Sequence, residues 1–260
     1  MKTRAIFVSA RTAAHSVIAE RGGLGVAVGF YAIVMSVLAG LWRVAAHANG
    51  GTIAGYSAVA LTWYIATTEA STISLNIRMI DDVGRDIATG AVAVELLRPA
   101  SVLAIRVATE MGRALPRLFA LMATGVVIAS VTAGAPPRPA LLLLAAPSLV
   151  LAITCNIVAQ HAFAGAAFWL RDAGSTWFLY QKLVFIAGGM LIPLELLPGW
   201  LHAAADALPF RAMSYIPAHL ASGHAEPILL LEQVAWIAAL FAVASVVFAA
   251  GERRLQVVGG

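Results

Sequence analysis

Charged residues are scarce in this sequence and are missing from long stretches of it. Asp, Glu, Lys and Arg make up 12% of the 260 residues, whereas a soluble globular domain carries about 25%. None lies between Gly22 and Trp42, and only Arg138 interrupts the stretch from Leu118 to Leu170. Because a helix at the surface of a soluble protein needs a polar face, these stretches exclude a soluble fold. They predict helices that cross a lipid bilayer.

Cysteine and lysine are also rare, and both shortages exclude functions. The single cysteine, Cys155, cannot form a disulfide within the chain. A phosphate-binding loop needs a lysine in the motif Gly-Lys-Ser/Thr, and neither Lys2 nor Lys182 has that context. The six histidines are scattered, and no His-Glu-x-x-His motif occurs. We therefore expect this chain to bind no metal or cofactor and to hydrolyse no ATP, so that it is not an enzyme.

Six apolar runs divide the sequence, and a helix needs about 20 such residues to cross the hydrocarbon core. The third run is short, and Pro193 and Pro198 interrupt the fifth, where they would break or kink a helix. The runs cover residues 23–42, 53–73, 116–133, 141–168, 176–198 and 228–250. We predict an all-α polytopic membrane protein that forms one transmembrane domain over residues 1–260.

The positions of the basic residues predict the orientation of these spans. With the N-terminus in the cytoplasm, the outside segments hold only Arg43, Arg138 and Arg211, and the inside segments hold the other 14 of the 17 Lys and Arg residues. The positive-inside rule therefore places both termini in the cytoplasm. Since the basic residues flank apolar runs, the net charge of +4 does not predict binding to nucleic acid.

Residues 1–21 have a different pattern, typical of an amphipathic helix on the membrane surface. Apolar side chains from Ile6 to Ile18 recur at helical spacing, with Arg4, Arg11 and His15 elsewhere on the helical wheel. We predict an interfacial helix that contacts membrane lipid.

The coupling segment, residues 74–115, contains the densest run of charge. It reads as a short charged helix, a turn at Gly90 and an apolar stretch that ends at Pro99. Such an element can project from the membrane and dock into a groove on a soluble partner. An ordinary solvated loop is the alternative.

The outer segment, residues 191–221, contains Pro193, Pro198, Pro209 and Pro217. A broken, re-entrant helix near the outer membrane face can act as a lid, because irregular backbone at that depth needs protein or water as its partner. An interfacial loop anchored by Trp200 is the alternative.

One acidic residue, Glu69, falls within the second predicted span. Ionisable groups at membrane depth are candidates for a transport pathway. A pairing with an arginine of the inner leaflet would instead give Glu69 a structural role.

Two ordered motifs, together with the N-terminal helix, resemble the ABC-2-type transporter permeases. One is Asp-Ile-Ala-Thr-Gly at residues 86–90, followed by Leu-Leu-Arg-Pro at residues 96–99. The other is Gly-Gly-Met-Leu-Ile-Pro-Leu at residues 188–194, followed by Leu-Pro-Gly-Trp at residues 197–200 and Leu-Pro-Phe at residues 208–210. The layout is similar to that of the short six-span bacterial permeases over nearly the whole chain.

This resemblance implies a permease subunit of an ABC exporter in the bacterial cytoplasmic (inner) membrane. ATP and Mg would bind to a separate ABC ATPase subunit, and a second permease chain, identical or related, would complete the pathway for a hydrophobic or amphipathic cargo. The implied ATPase-coupling residues are Asp81, Asp82, Arg85, Asp86, Gly90, Arg98 and Pro99. The implied outer gate consists of Pro193, Pro198, Trp200, Pro209 and Phe210.

An ion-coupled secondary transporter or a channel is the main alternative function. Such carriers place acids or broken helices near the bilayer midplane. The third and fourth predicted spans contain no acid, and Glu69 lies towards one end of the second.

Overall fold

Helices account for most of the residues that the computed structural model describes, which are 2–92, 101–170 and 174–258. The α-helices are α1 (Lys2–Ala19), α2 (Arg21–Ala48), α3 (Ala58–Ser74), α4 (Met79–Ala88), α5 (Val102–Thr132), α6 (Leu142–Ala164), α7 (Gly174–Ala187), α8 (Gly199–Asp206), α9 (Tyr215–Ala221) and α10 (Ile228–Val258). Short 3-10 turns cover Pro139–Leu141, Gly165–Phe168, Leu194–Leu196 and Pro209–Met213. The strands β1 (Thr52–Ile53) and β2 (Tyr56–Ser57) form an antiparallel hairpin.

Four helices are long and apolar enough to cross a membrane, and they overlap the first, third, fourth and sixth predicted spans. They are Arg21–Ala48, Val102–Thr132, Pro139–Phe168 and Ile228–Gly251. The all-α polytopic class predicted from the sequence is therefore confirmed.

The helices at the second and fifth predicted spans are shorter than expected. The hairpin occupies residues 52–57, so α3 begins only at Ala58, where the Ser57 side chain caps it, and has 17 residues. Helix α7 ends at Ala187, before Gly189 at φ +62°, and its 14 residues extend about 21 Å. This is less than the roughly 30 Å of a hydrocarbon core.

The helix at the third predicted span is longer than expected. Helix α5 begins at Val102, so the predicted coupling segment contains its first half. Pro116 lies inside the helix and leaves the carbonyl of Gly112 without its helical donor. A membrane helix tolerates such a proline where neighbouring elements compensate.

Helix α3 forms the centre of the bundle. Every residue from 60 to 71 is buried, and α2, α5, α6 and α9 pack around the helix. The hydroxyl of Tyr31 on α2 donates to the carbonyl of Ala66 over 2.9 Å. The indole of Trp63 donates to the carbonyl of Gly134, beyond the end of α5, over 3.1 Å. Neighbouring helices are therefore joined to α3 by hydrogen bonds as well as by apolar contact.

Helix α1 packs closely against the first half of α5. A Cβ atom at Gly112 would lie 2.1 Å from the carbonyl oxygen of Ala10, so only glycine permits this approach. Ala13 and Val17 are buried, whereas Phe7 and Ile18 are exposed. A helix is thus present over Lys2–Ala19, and it rests on α5 through small residues. Its position at the membrane surface stays a prediction.

We expect Gly112→Ala to loosen the contact between α1 and α5, because the added methyl group would collide with backbone that cannot move aside. Overpacking of this kind costs about 1–3 kcal/mol. Thermal unfolding of the purified chain in detergent should show a Tm lower by several degrees. Gly40→Ala is the matched control, since a Cβ atom at Gly40 meets nothing within 4 Å. Equal Tm values for both variants would contradict the packing described.

Candidate functional site

Helix α4 presents one apolar face to the protein and one charged face away from it. Met79, Ile80, Val83 and Ile87 are buried against α6, α7 and the turn Gly165–Phe168. The helix stops at Thr89, and Gly90 follows at φ +75°, a conformation that favours glycine. The charged helix and the turn predicted within the coupling segment are therefore present.

The charges of α4 differ in how tightly the protein holds them. Asp86 pairs with Arg106 of α5 over 2.7 Å, and the Arg106 side chain is only 14% exposed. Asp82 lies 3.7 Å from Arg85, whose side chain is 69% exposed. Asp86 therefore joins α4 to α5, whereas the Arg85 side chain is largely exposed.

The structure brings together most of the predicted coupling residues. Asp81, Asp82, Arg85, Asp86 and Gly90 all lie on α4 or at its end. Arg98 and Pro99 lie outside the described residues.

A polar cavity of about 330 Å³ separates α4 from α1, α5 and the end of α6. Arg106, Glu110 and Arg113 of α5 line it together with Asp82 and Asp86, and Arg113 pairs with Glu110 over 2.5 Å. These three α5 residues were not among the predicted site residues. Their spacing of three and four positions places them on one helical face, and this spacing could have predicted that they lie together.

The outer segment is broken at three of its four prolines, whereas Pro217 lies within α9. Pro193 precedes the turn Leu194–Leu196, Pro198 precedes α8, and Pro209 begins the turn Pro209–Met213. Trp200 is 75% exposed. Phe210 is buried, and its ring centre lies 6.3 Å from that of Tyr180 on α7. The predicted outer-gate residues thus differ in burial, and their role in a gate stays a prediction.

A cluster of tyrosine, histidine and glutamate side chains joins the outer segment to the start of α3. The hydroxyl of Tyr56 donates to Oε1 of Glu195 over 3.0 Å and lies 2.7 Å from Nδ1 of His219. Tyr215 donates to the same Glu195 oxygen over 2.6 Å. The ring of His224 stacks on that of His219 at 4.3 Å between centres. This cluster was not predicted from the sequence, because Tyr56 lies 139 positions from Glu195 and 163 from His219.

A second contact fastens the outer segment to α10. The guanidinium of Arg211 donates to both carboxylate oxygens of Glu232, over 2.7 and 2.5 Å, and also to Asp206. Hydrogen bonding to Glu232 raises the pKa of Arg211 above its ordinary value. This bidentate pair holds the turn Pro209–Met213 in place.

Glu69 is buried on α3, as a pathway residue or a structural acid would be. Among residues 2–92, 101–170 and 174–258, no basic side chain forms an ion pair with it. The pairing with an inner-leaflet arginine is therefore not seen in the part of the chain described. The same part contains no group of three or more His, Cys, Asp or Glu side chains that could hold a metal.

The four long apolar helices define a polytopic helical membrane protein. A family model described as an ABC-2 family transporter protein matches residues 31–259. Because this match covers most of the sequence, the chain belongs to the ABC-2 family of transporter membrane proteins, and the resemblance seen in the sequence is confirmed. The family is a membrane component of ABC transporters and is not itself catalytic. A comparison with curated proteins gives no match.

Acid should loosen the outer segment through His219. Burial, and then repulsion from His224, lower the pKa of His219 below its ordinary value of about 6.5, although Glu195 and Glu226 act in the opposite direction. The native state therefore binds this proton less readily than the unfolded state. Its contribution to the free energy of unfolding is complete above about pH 6.5 and is lost as the pH falls towards the native pKa.

We expect His219→Gln to reduce the drop in Tm between about pH 7.5 and pH 5.5. The measurement is thermal unfolding of both chains across this pH range. His47→Gln, at an exposed histidine at the end of α2, should leave the drop unchanged. An unaltered pH dependence in His219→Gln would exclude His219 as its source.

Proposed function

We propose that this chain is the membrane-spanning permease subunit of an ABC exporter in the bacterial cytoplasmic membrane. In this proposal α2, α3, α5, α6, α7 and α10 are the six spans, and both termini are cytoplasmic. Helix α7 crosses only part of the bilayer, and the outer segment follows it as a re-entrant element at the outer membrane face. Membership of the ABC-2 family and the distribution of the basic residues support this arrangement.

The observation that carries the proposal is the position of α4. This charged helix lies between α3 and α5 in the chain and rests across α6 and α7. Its apolar face is buried in the permease, and Asp86 ties it to Arg106. A helix held in this way moves together with the helices beneath it. An ATPase that grips its exposed side could therefore displace several spans at once.

Arg85 is the residue best placed to contact the ATPase, with Asp81 and Asp82 beside it on the first turn of α4. Asp86 transmits the movement to α5 rather than meeting the partner directly, since its carboxylate is engaged by Arg106. ATP and Mg would bind on the separate ATPase subunit. ATP-driven closure of two such subunits would push the inner ends of two permease chains together and open a route between them.

The cargo in this proposal is hydrophobic or amphipathic, and the outer segment forms the gate through which it leaves. Large apolar side chains are exposed along α2 and α10, including Phe30, Ile33, Val234 and Val246. Such surfaces suit lipid, a second permease chain or an apolar cargo. The contacts of Tyr56 with Glu195 and of Arg211 with Glu232 would hold the gate closed.

An ion-coupled secondary transporter or channel is the second candidate function, and Glu69 is the observation that favours it. This acid is buried in the central helix without an ion pair among the described residues. Such a group suits a binding site for a proton or another cation. In contrast to the exporter, this carrier would work without an ATPase.

The proposed orientation predicts opposite labelling at the two ends of the bundle. Thr89 is exposed after α4, and Thr52 is exposed in the hairpin. We expect a membrane-impermeant maleimide to label Thr52→Cys in intact cells and Thr89→Cys only after permeabilisation. Cys155 is buried and can be left in place. Labelling of Thr89→Cys from outside would show that the topology is the reverse of the one proposed.

The ATPase contact predicts that Arg85→Glu separates the permease from its motor. Because Arg85 is exposed, the variant should fold normally, while reversal of its charge should weaken ATPase binding about tenfold or more. Affinity purification from native membranes in mild detergent measures the co-purified ATPase, and vesicle transport measures the output. Arg138→Glu, at the other end of the bundle, is the matched control and should alter neither.

Two results would contradict this assignment. If Arg85→Glu still bound the ATPase and still transported cargo, α4 would not be the contact with the ATPase. Transport by the unaltered chain with no ATPase co-purified under any extraction condition would favour the ion-coupled carrier.

A further inference from the structure

Helix α6 carries two carboxamides deep inside the bundle. Asn156 is 4% exposed, and Gln160, one turn later, is 5% exposed. Nε2 of Gln160 donates to Oδ1 of Asn156 over 2.8 Å, and the hydroxyl of Tyr180 on α7 donates to the same oxygen over 2.7 Å. Polar side chains in a membrane helix are costly unless each hydrogen-bonding group finds a partner.

Half of this pair has no partner among the described residues. Neither Nδ2 of Asn156 nor Oε1 of Gln160 forms a hydrogen bond there, and neither atom is sealed in the core. A bond between two amides uses one donor and one acceptor. The pair therefore keeps one of each for a ligand, whichever way the two amides are turned.

The buried Gln233 of α10 shows the contrasting, structural arrangement. Its Oε1 accepts from the hydroxyl of Ser148, and its Nε2 donates to the carbonyls of Ser148 and Ala212. Both ends of this amide are used to join α10 to α6 and to the outer segment. A glutamine that served only to join helices would be satisfied in the same way, and Gln160 is not.

A small cavity of about 80 Å³ lies beside Asn156 and Gln160, between α3, α6 and α7. Among the described residues, its lining contains no charged side chain, and Ile77 at its rim is exposed. The remaining lining contains the polar side chains of Thr72, Asn76 and Gln181 and is otherwise apolar or aromatic: Leu75, Trp177, Val184, Phe185 and Met190. Since pockets for whole drug-sized ligands measure about 300–1,000 Å³, only one end of an amphipathic molecule would enter.

We propose that this cavity binds the uncharged polar group of an amphipathic substrate, and that Asn156 and Gln160 recognise a group that both donates and accepts a hydrogen bond. A secondary amide meets both requirements with adjacent atoms. The assignment of this group as part of a substrate rests on the proposed export function. The binding of the group to the chain does not depend on that function.

The lining selects against charged groups and hydrocarbon groups at the end of the molecule. A charged group would lose its hydration and meet no opposite charge among the lining residues that the structure describes. A hydrocarbon end would leave the spare donor and acceptor of the amide pair unsatisfied. An ester accepts a hydrogen bond but cannot donate one, so it would satisfy only part of the pair.

The test is equilibrium binding of two labelled probes to the full-length chain in nanodiscs, with partitioning into empty nanodiscs subtracted. N-dodecylacetamide carries the N–H group, and N-dodecyl-N-methylacetamide lacks it. We expect the unaltered chain to bind the first about tenfold more tightly, which is the effect of roughly one hydrogen bond. Equal affinities would overturn the proposal without the use of any variant.

Gln160→Met should abolish this preference while it leaves the hydrogen bond between Tyr180 and Asn156 intact. Gln233→Met is the matched control, because it removes a buried amide whose atoms are all engaged in joining helices. It should lower the Tm and keep the tenfold preference. A preference that survives in Gln160→Met, or is lost equally in both variants, would overturn the assignment.

This experiment separates the cavity from the export function because it needs neither ATP nor an ATPase. Arg85→Glu should keep the preference for the amide probe while it loses the motor. If the preference is present and no ATP-driven transport of the amide occurs, the export role fails and the binding site stands. If transport is ATP-driven and the preference is absent, the binding site fails alone.

Discussion

The enclosure of α3 by protein is the constraint on which the rest of the bundle depends. A helix buried along residues 60–71 must be covered by neighbours on every side, and α2, α5, α6 and α9 provide that cover. Its threonines turn their hydroxyls back onto the helix, as Thr62 does towards the carbonyl of Ala58 over 2.8 Å. Polar residues are thus tolerated at the centre, and the lipid-facing surface is left to the longer apolar helices.

Ion pairs and polar hydrogen bonds lie at both ends of this bundle, and each end is stabilised by its own set. At one end Asp86 and Arg106 join α4 to α5. At the other, Glu195 accepts from Tyr56 and Tyr215, and Arg211 grips Glu232. Both sets of contacts are made by polar groups near chain connections. They can therefore break and reform at a lower cost in free energy than contacts in the apolar core.

Helices and turns that depend on neighbouring residues can be predicted from this sequence. Contacts between residues that are distant in the sequence cannot. Uninterrupted apolar runs predict α2 and α10 well, and Gly90 marks the end of α4 correctly. The hairpin at residues 52–57 was not predicted because the second apolar run, taken as one helix, already begins at residue 53. The contact of Tyr56 with His219, and the spare amide groups of Asn156 and Gln160, depend on how helices pack. Periodicity within one segment carries no information about them.

Helix α5 is a single rod of 31 residues, about 46 Å long. It meets the ion pair of α4 near its first turn, and beyond its last turn the carbonyl of Gly134 accepts from Trp63. Although Pro116 removes one of its hydrogen bonds, the helix continues through this position and acts as a lever when it moves as one unit: a tilt of about 10° about its first turn would move the other end by about 8 Å. In the proposed mechanism, a rotation of α5 that starts at Asp86 would therefore be enlarged at the far side of the bundle, and no helix would have to unfold.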